Sequence, residues 1–417
     1  KLFIDELVER FVDHADERKG WQAKRNRSIR DLAFPFPEYR KGQREMAIRV
    51  FRAIREKHQM LVQAPTGIGK TMAAVFPAVK ALGDNLVDRI FYLAARSTGK
   101  KVAEEAVAAL QHQGLRLRCL VLTAKEKICF NPGAACNADE CEFARGYYDR
   151  INEALEYSLK SDLLNRHFVE SMAWQHRVCP FELSLDLSLS ADVIVCDYNY
   201  AFDPQAYLRR FFQIVEEGYL FLVDEAHNLV DRARDMFSAA VSRRQFAEGE
   251  RELAGQLPQL STLLAKLVAW MDAKKARHAH EEFYSSDELP DDLLPLLQQI
   301  VRESDAWLSL NLGASFREAV LNLFFTASRF LKVSELFNEQ YAACYDFSGP
   351  TDTPEKDLVI NLFCIDPSRH LQEKLQNIRS AVVFSATLTP MDYVWESVGG
   401  DASARELRLS SRWPGRI

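Results

Sequence analysis

The sequence predicts an α/β protein built on a doubly wound parallel sheet that carries two inserted segments. Three observations predict it. Apolar runs such as Met60-Leu61-Val62-Gln63, Arg89-Ile90-Phe91-Tyr92-Leu93-Ala94 and Tyr219-Leu220-Phe221-Leu222-Val223 read as buried strands, and each ends in a polar motif. Residues 100–110 alternate apolar and charged side chains at helical spacing. Strand, helix, strand, helix in succession implies parallel strands with ligand sites at their carboxyl ends.

Composition sets the scale. With 417 residues and 47% hydrophobic content, the chain suffices for two or three domains with sizeable cores. It has no apolar run long enough to span a bilayer and no secretory start, so no membrane contact is expected and the expected location is cytoplasmic. A formal charge of −6 excludes a surface coated in positive charge, so nucleic acid would need a local basic groove.

Residues 1–38 read as an extension or linker. Their basic stretch, Arg18-Lys19 through Lys24-Arg25-Asn26-Arg27 to Arg30, is expected to be a solvated helix face. Tyr39-Arg40-Lys41-Gly42-Gln43 then opens the sheet domain. The run Ala64-Pro65-Thr66-Gly67-Ile68-Gly69-Lys70-Thr71 is a phosphate-binding loop between a strand and a helix, where backbone amides converge on phosphate. Gly67 and Gly69 let the backbone curl, and Thr66 belongs to the same ATP-binding set. Lys70 places a point charge on the β and γ phosphates, while the Thr71 hydroxyl is expected in a Mg2+ shell with Asp224.

Four cysteines follow with the spacing Cys129-x6-Cys136-x4-Cys141-x37-Cys179, in polar, turn-rich surroundings. Four unrelated thiols, a zinc site and an iron–sulfur cluster all remain open from spacing alone. Zinc sites usually repeat a short knuckle twice, which is missing, so iron–sulfur ranks slightly ahead. Cys119 and Cys196 lie in apolar strand-like runs and read as core. Arg145, Tyr147, Tyr148 and Arg150 offer charge and stacking surfaces, with packing as the alternative. Asp197-Tyr198-Asn199-Tyr200 either lines a nucleic-acid path or closes the domain.

Asp224-Glu225-Ala226-His227 ends an apolar strand and completes the nucleotide motifs. Glu225 is placed to orient and deprotonate the water that attacks the γ phosphate, and His227 to couple rather than catalyse. Residues 237–347 read as a helical insert, with Leu253, Leu257, Leu260, Leu263, Leu264 and Leu267 at helical intervals and an acidic loop at 281–295. The chain is then expected to return to the parallel sheet through residues 358–365 and again through 380–384, which leads into Ser385-Ala386-Thr387-Leu388.

The order of these motifs, with cysteines before the acid box and an insert after it, resembles the XPD/DinG family of iron–sulfur DNA helicases in superfamily 2. Ala64 in place of the usual first Gly of the loop is a departure that superfamily also shows. Lys125-Glu126-Lys127-Ile128-Cys129 and Val178-Cys179-Pro180-Phe181-Glu182 look like that family's first and fourth ligand segments. The resemblance runs from about Tyr39 onward. It implies a 4Fe-4S cluster on Cys129, Cys136, Cys141 and Cys179, and Arg40 and Gln43 beside the adenine. It further implies Arg96 on DNA backbone phosphate, Ser385 and Thr387 as the relay to the DNA side, and 5′ to 3′ movement on single-stranded DNA with opening of forked duplex, as in DNA repair.

The expected domains are a RecA-like motor made of 39–110, 183–236 and 348–417, an iron–sulfur domain at 111–182, and an arch-like helical insert at 237–347. Lys1 in place of Met and an end soon after the third motif look like cuts, and no Gln-x-x-Gly-Arg-x-x-Arg signature of a second motor domain is seen. Negligible unwinding by these residues alone is the corresponding expectation. Rival readings are a binding module that keeps the motor fold without catalysis, and part of a helicase–nuclease fusion.

Overall fold

The computed structural model describes residues 2–134, 136–204, 208–212, 218–278, 280–311, 314, 316–348, 357–400 and 405–409. Lys1 and residues 410–417, where the sequence suggested cut ends, lie outside the described residues. The chain opens with helices α1 (Leu2–Arg30) and α2 (Gln43–Arg55), then strand β1 (Met60–Gln63), α3 (Lys70–Gly83), β2 (Arg89–Ala94) and α4 (Ser97–His112). Strands β3 (Cys119–Val121), β4 (Leu163–Leu164), β5 (Val193–Cys196) and β6 (Tyr219–Asp224) follow. Next come β7 (Ala239–Ser242), β8 (Phe283–Ser286), β9 (Tyr341–Asp346) and β10 (Val359–Cys364), and last β11 (Ser380–Ser385) and β12 (Arg405–Arg408).

Eight strands form one parallel sheet in the order β12-β1-β11-β6-β2-β5-β3-β4. Every residue of β6 and β11 is buried, as expected where helices cover both faces of a sheet. The register pairs Gln63 with Ser385, Phe384 with Asp224 and Ala94 with Asp224. The carboxyl ends of β1, β11, β6 and β2 therefore stand in one row, and the phosphate loop, Ser385, the acid box and Arg96 all leave from that row.

The amino-terminal basic stretch is mostly the solvated helix face expected of it, with Arg18, Lys19, Lys24, Arg27 and Arg30 exposed, and Arg25 is the exception. Arg25 is 4% exposed and pairs with Asp192 at 2.6 Å, while Trp21 Nε1 donates to the other oxygen of the same carboxylate at 3.0 Å. Ile29 is buried against α3 so closely that a Cβ on Gly83 would lie 2.4 Å from Ile29 Cγ2. Arg25 alone is drawn inside, because a buried counter-charge, Asp192, waits for it.

By compactness the chain forms two units, residues 1–201, 207–230 and 370–417 in one and 202–206 with 231–369 in the other. The second unit contains the expected helices at Arg243–Leu253, Pro258–Arg277, Leu294–Leu310 and Arg317–Ser334, with Leu253, Leu260, Leu264 and Leu267 buried. It also contains an antiparallel sheet in the order β7-β10-β9-β8, so it is not purely helical. The stretch 358–365 joins this sheet through β10 rather than returning to the parallel one. Ile360, Leu362 and Cys364 are buried while Val359, Asn361 and Phe363 are half-buried, the alternation of a strand with one covered face. Only 380–385 returns as expected.

Candidate functional site

The phosphate loop is shaped by its glycines. Gly67 (φ 84°) and Gly69 (φ 80°) both lie in the left-handed region that side chains resist. Gly69 caps α3 without any side-chain hydrogen bond, which leaves the first amides of a 14-residue helix facing the loop. Arg40 Nη1 donates to the Gly67 carbonyl at 2.6 Å, and Gln43 Nε2 donates to the Gly69 carbonyl at 3.2 Å. Gln43 Oε1 in turn accepts from the Arg40 amide at 3.0 Å. Arg40, just ahead of α2, and Gln43, its first residue, thus clasp the loop. Beside them Tyr39 stacks on Phe34 with ring centres 3.8 Å apart, at the edge of a cavity of about 390 Å³ that Phe51, Phe76 and Pro77 also line.

Asp224 is buried at the end of β6, and its carboxyl is pushed above the usual range chiefly by that burial. A hydrogen bond from Tyr92 and the charge of Lys70 act in the opposite direction. Glu225 turns the chain with φ 52° and ψ 44°, a left-handed conformation that costs a non-glycine residue of order 1 kcal/mol. The turn aims its carboxylate along the row of strand ends. Asn228 Nδ2 lies 3.0 Å from His227 Nε2, which makes that nitrogen the acceptor and leaves the proton on Nδ1. His227 Nδ1 then reaches Ser385 Oγ at 2.7 Å and Glu225 Oε2 at 3.3 Å. The Thr387 amide points to the same Ser385 Oγ at 3.5 Å, so the acid box and the third motif form one polar chain. Arg96 is exposed just before α4, and Thr66 is exposed on the loop.

The cysteine segment is built around Lys125. Its ammonium hydrogen-bonds Cys136 and feels the charge of Cys129 and Cys179, which raises its pKa despite partial burial. Cys129 ends the short helix Lys125–Ile128, and Cys179 begins the helix Pro180–Ser188, whose Phe181 and Glu182 amides face its sulfur. Cys141 is buried, Cys136 is exposed, and all four are free thiols. Among the described residues no three His, Cys, Asp or Glu side chains stand close enough to hold a metal ion. Cys119 and Cys196 are fully buried in strands, as core thiols should be.

Two family descriptions match the chain, DEAD_2 over residues 96–246 and DEAD/DEAH box helicase over 44–131. Human (Homo sapiens) "Regulator of telomere elongation helicase 1" is 25% identical over 266 residues, covering 52% of this chain and 22% of that protein. The chicken (Gallus gallus) "Fanconi anemia group J protein homolog" is 22% identical and covers 81% of this chain and 33% of its own length. Among solved structures, "XPD_Helicase" superposes with a TM-score of 0.60 at 17% identity, over 89% of this chain and 63% of that one. "Truncated XPD" does so with a TM-score of 0.55 at 17% identity, over 88% of this chain and 99% of that one. The chain thus carries DEAD_2 and DEAD/DEAH box helicase segments, shares the fold of the XPD structures, and spans about a third or less of the length of these two curated relatives.

The described residues include no helix long and apolar enough to cross a membrane. Several site-building residues escaped the sequence reading. Tyr92 donates to Asp224 Oδ2 at 2.6 Å, and the Tyr198 hydroxyl donates to the Asp224 carbonyl. A tyrosine inside an aliphatic buried strand was the available signal, because a buried phenol needs a partner. Tyr198, fully buried, closes the domain rather than lining a path. Of the charge and stacking cluster, Arg145 and Arg150 bond backbone carbonyls and Tyr147 bonds Asp186. Of the four, Tyr148, 86% exposed, presents its ring to solvent while standing perpendicular to Tyr147.

Proposed function

We propose that this chain is the motor portion of an ATP-dependent DNA helicase that moves 5′ to 3′ on single-stranded DNA and opens forked duplexes. The observation that carries the reading is the chain of bonds from Glu225 through His227 to Ser385, set across adjacent strand ends beside the phosphate loop. Lys70 and the first amides of α3 receive the phosphates, and Glu225 orients and deprotonates the attacking water. Arg40 and Gln43, holding the loop, border the adenine. Arg96 takes a DNA phosphate, a contact that weakens with salt. Ser385 and Thr387 carry the nucleotide state toward the DNA.

Magnesium would be held by Thr71 and Asp224, where it neutralises phosphate charge. A buried carboxylate next to Lys70 suits a hard cation that keeps several waters. We further propose that Cys129, Cys136, Cys141 and Cys179 hold a 4Fe-4S cluster in a domain of residues 111–182, with 237–347 as the arch-like insert. Four free thiols within one segment, three of them grouped about a lysine cation, are suitable donors for an anionic cluster. Eight free cysteines fit a reducing, cytoplasmic setting.

The test is binding of a fluorescent ADP analogue and of single-stranded DNA by residues 1–417. Lys70→Ala is expected to abolish the first and spare the second. Nucleotide affinity unchanged by that substitution would refute the site and the motor reading with it.

A further inference from the structure

Among the described residues, Tyr92 is the phenol within reach of both motif residues assigned to magnesium. Its hydroxyl donates to Asp224 Oδ2 at 2.6 Å, and the Thr71 side chain lies within hydrogen-bonding reach of that Tyr92 hydroxyl. The sheet register explains why a tyrosine is needed. Ala94 on β2 stands directly beside Asp224 on β6, and Tyr92 lies two residues back on the same face. Only a long side chain spans that diagonal. Ala94 and Gly99 leave the space open, since a Cβ on Gly99 would lie 3.1 Å from Ala94 Cβ and 3.8 Å from Asp224 Oδ2. The phenol is 1% exposed and its ring packs edge-on to Phe384, so it has little freedom to turn away.

From this geometry we infer that Tyr92 is a positioning residue for the metal-bound nucleotide, locking Asp224 Oδ2 and tying the Thr71 side of the site to the Asp224 side. The inference rests on the ATP-site reading above. Asp224 Oδ1 accepts from the Glu225 amide at 2.8 Å, so the two oxygens are held from opposite sides by Tyr92 and by the backbone. A carboxylate fixed at both oxygens presents its remaining lone pairs in a single orientation. Outer partners of this kind typically change metal affinity by roughly ten- to a hundred-fold. Tyr92 touches no reacting atom and acts through Asp224.

The experiment measures binding of a fluorescent ADP analogue by residues 1–417 as a function of magnesium concentration, in the parent chain, Tyr92→Phe and Lys70→Ala. Phenylalanine keeps the ring packing and removes only the hydroxyl. Expected for Tyr92→Phe are magnesium-free affinity within two-fold of the parent, a magnesium half-saturation raised about ten-fold and an unchanged melting temperature. A magnesium response identical to the parent's overturns the inference while leaving the site standing, provided Lys70→Ala has lost binding. An equal loss of affinity with and without magnesium also overturns it, because it marks a general structural role. If Lys70→Ala still binds, the underlying ATP-site reading has failed instead.

Discussion

His227 Nδ1 donates to Ser385 Oγ at 2.7 Å, joining the acid box at the end of β6 to the third motif at the end of β11. Ser385 is fully buried and also lies 3.4 Å from Glu225 Oε2. A rearrangement of Glu225 on nucleotide binding or release therefore cannot leave Ser385 undisturbed. The Thr387 amide meets the same Ser385 Oγ at 3.5 Å.

Ser385→Ala removes this junction without changing either neighbouring strand. Nucleotide affinity is expected to stay within two-fold of the parent, while stimulation of ATP hydrolysis by single-stranded DNA falls at least ten-fold. Hydrolysis assays with and without DNA check this. Equal stimulation in the variant would remove Ser385 from the coupling path.

Gly69→Ala meets two obstacles together. The residue has φ 80°, and a Cβ there would lie 2.4 Å from Gln43 Nε2. The variant must either flatten the loop or expel Gln43, so nucleotide binding should weaken more than ten-fold. Gln43→Ala combined with Gly69→Ala separates the causes. Any recovery in the double variant measures the clash, and the remainder measures the backbone strain.

The motor half of the fold was largely legible because each strand that carries chemistry is an uninterrupted apolar run with its motif directly behind it. β1, β6 and β11 needed no long-range information. The run 358–365 looks similar, yet only one face of β10 is covered, and composition alone did not separate the two cases. The burial of Arg25 depended on Asp192, 167 positions away. The links Tyr92–Asp224 and His227–Ser385 likewise exist only once the sheet order is known. Residue types announced the proposed catalytic set, and register decided which side chains stand beside it.

The Arg25–Asp192 pair is a stability element. Both side chains are about 5% exposed, and Asp192 also accepts from Trp21 and from the Arg118 amide. Asp192→Ala leaves a buried guanidinium without its counter-charge and should cost about 3–5 kcal/mol in chemical denaturation. Arg25→Met with Asp192→Leu removes both charges and should cost far less. Similar losses in the two variants would show that packing of α1, and not the charge pair, is what matters.

Asp224 gives the site a definite pH response. Its native pKa lies above the ordinary aspartate value of 3.8, led by burial and raised further by Glu225. The native state thus holds this proton more tightly than the unfolded chain. That contribution to stability is complete below 3.8 and is lost as pH rises through the native pKa. Magnesium needs the ionised carboxylate, so magnesium enhancement of ADP binding should decline with acidification at a midpoint above 3.8. Glu225→Gln removes one raising charge and should move that midpoint down. Binding titrations across pH check the direction, and an unmoved midpoint would discount the Glu225 contribution.

The cysteine segment makes the sharpest compositional prediction. Protein purified without oxygen should carry iron and acid-labile sulfide in equal amounts, with a brown visible chromophore. Cys179→Ser should lose both, because Cys179 is set at a helix start beside another proposed ligand, Cys129. Burial holds its free thiol above the usual pKa, and the Phe181 and Glu182 amides facing its sulfur act in the opposite direction, ready to favour the metal-bound thiolate. Cys119→Ser lies in a buried strand and should keep the cluster if the chain folds. Zinc in place of iron would preserve four-thiolate ligation but turn the segment into a structural clip. Full retention of iron by Cys179→Ser would remove that residue from the ligand set and with it the proposed spacing.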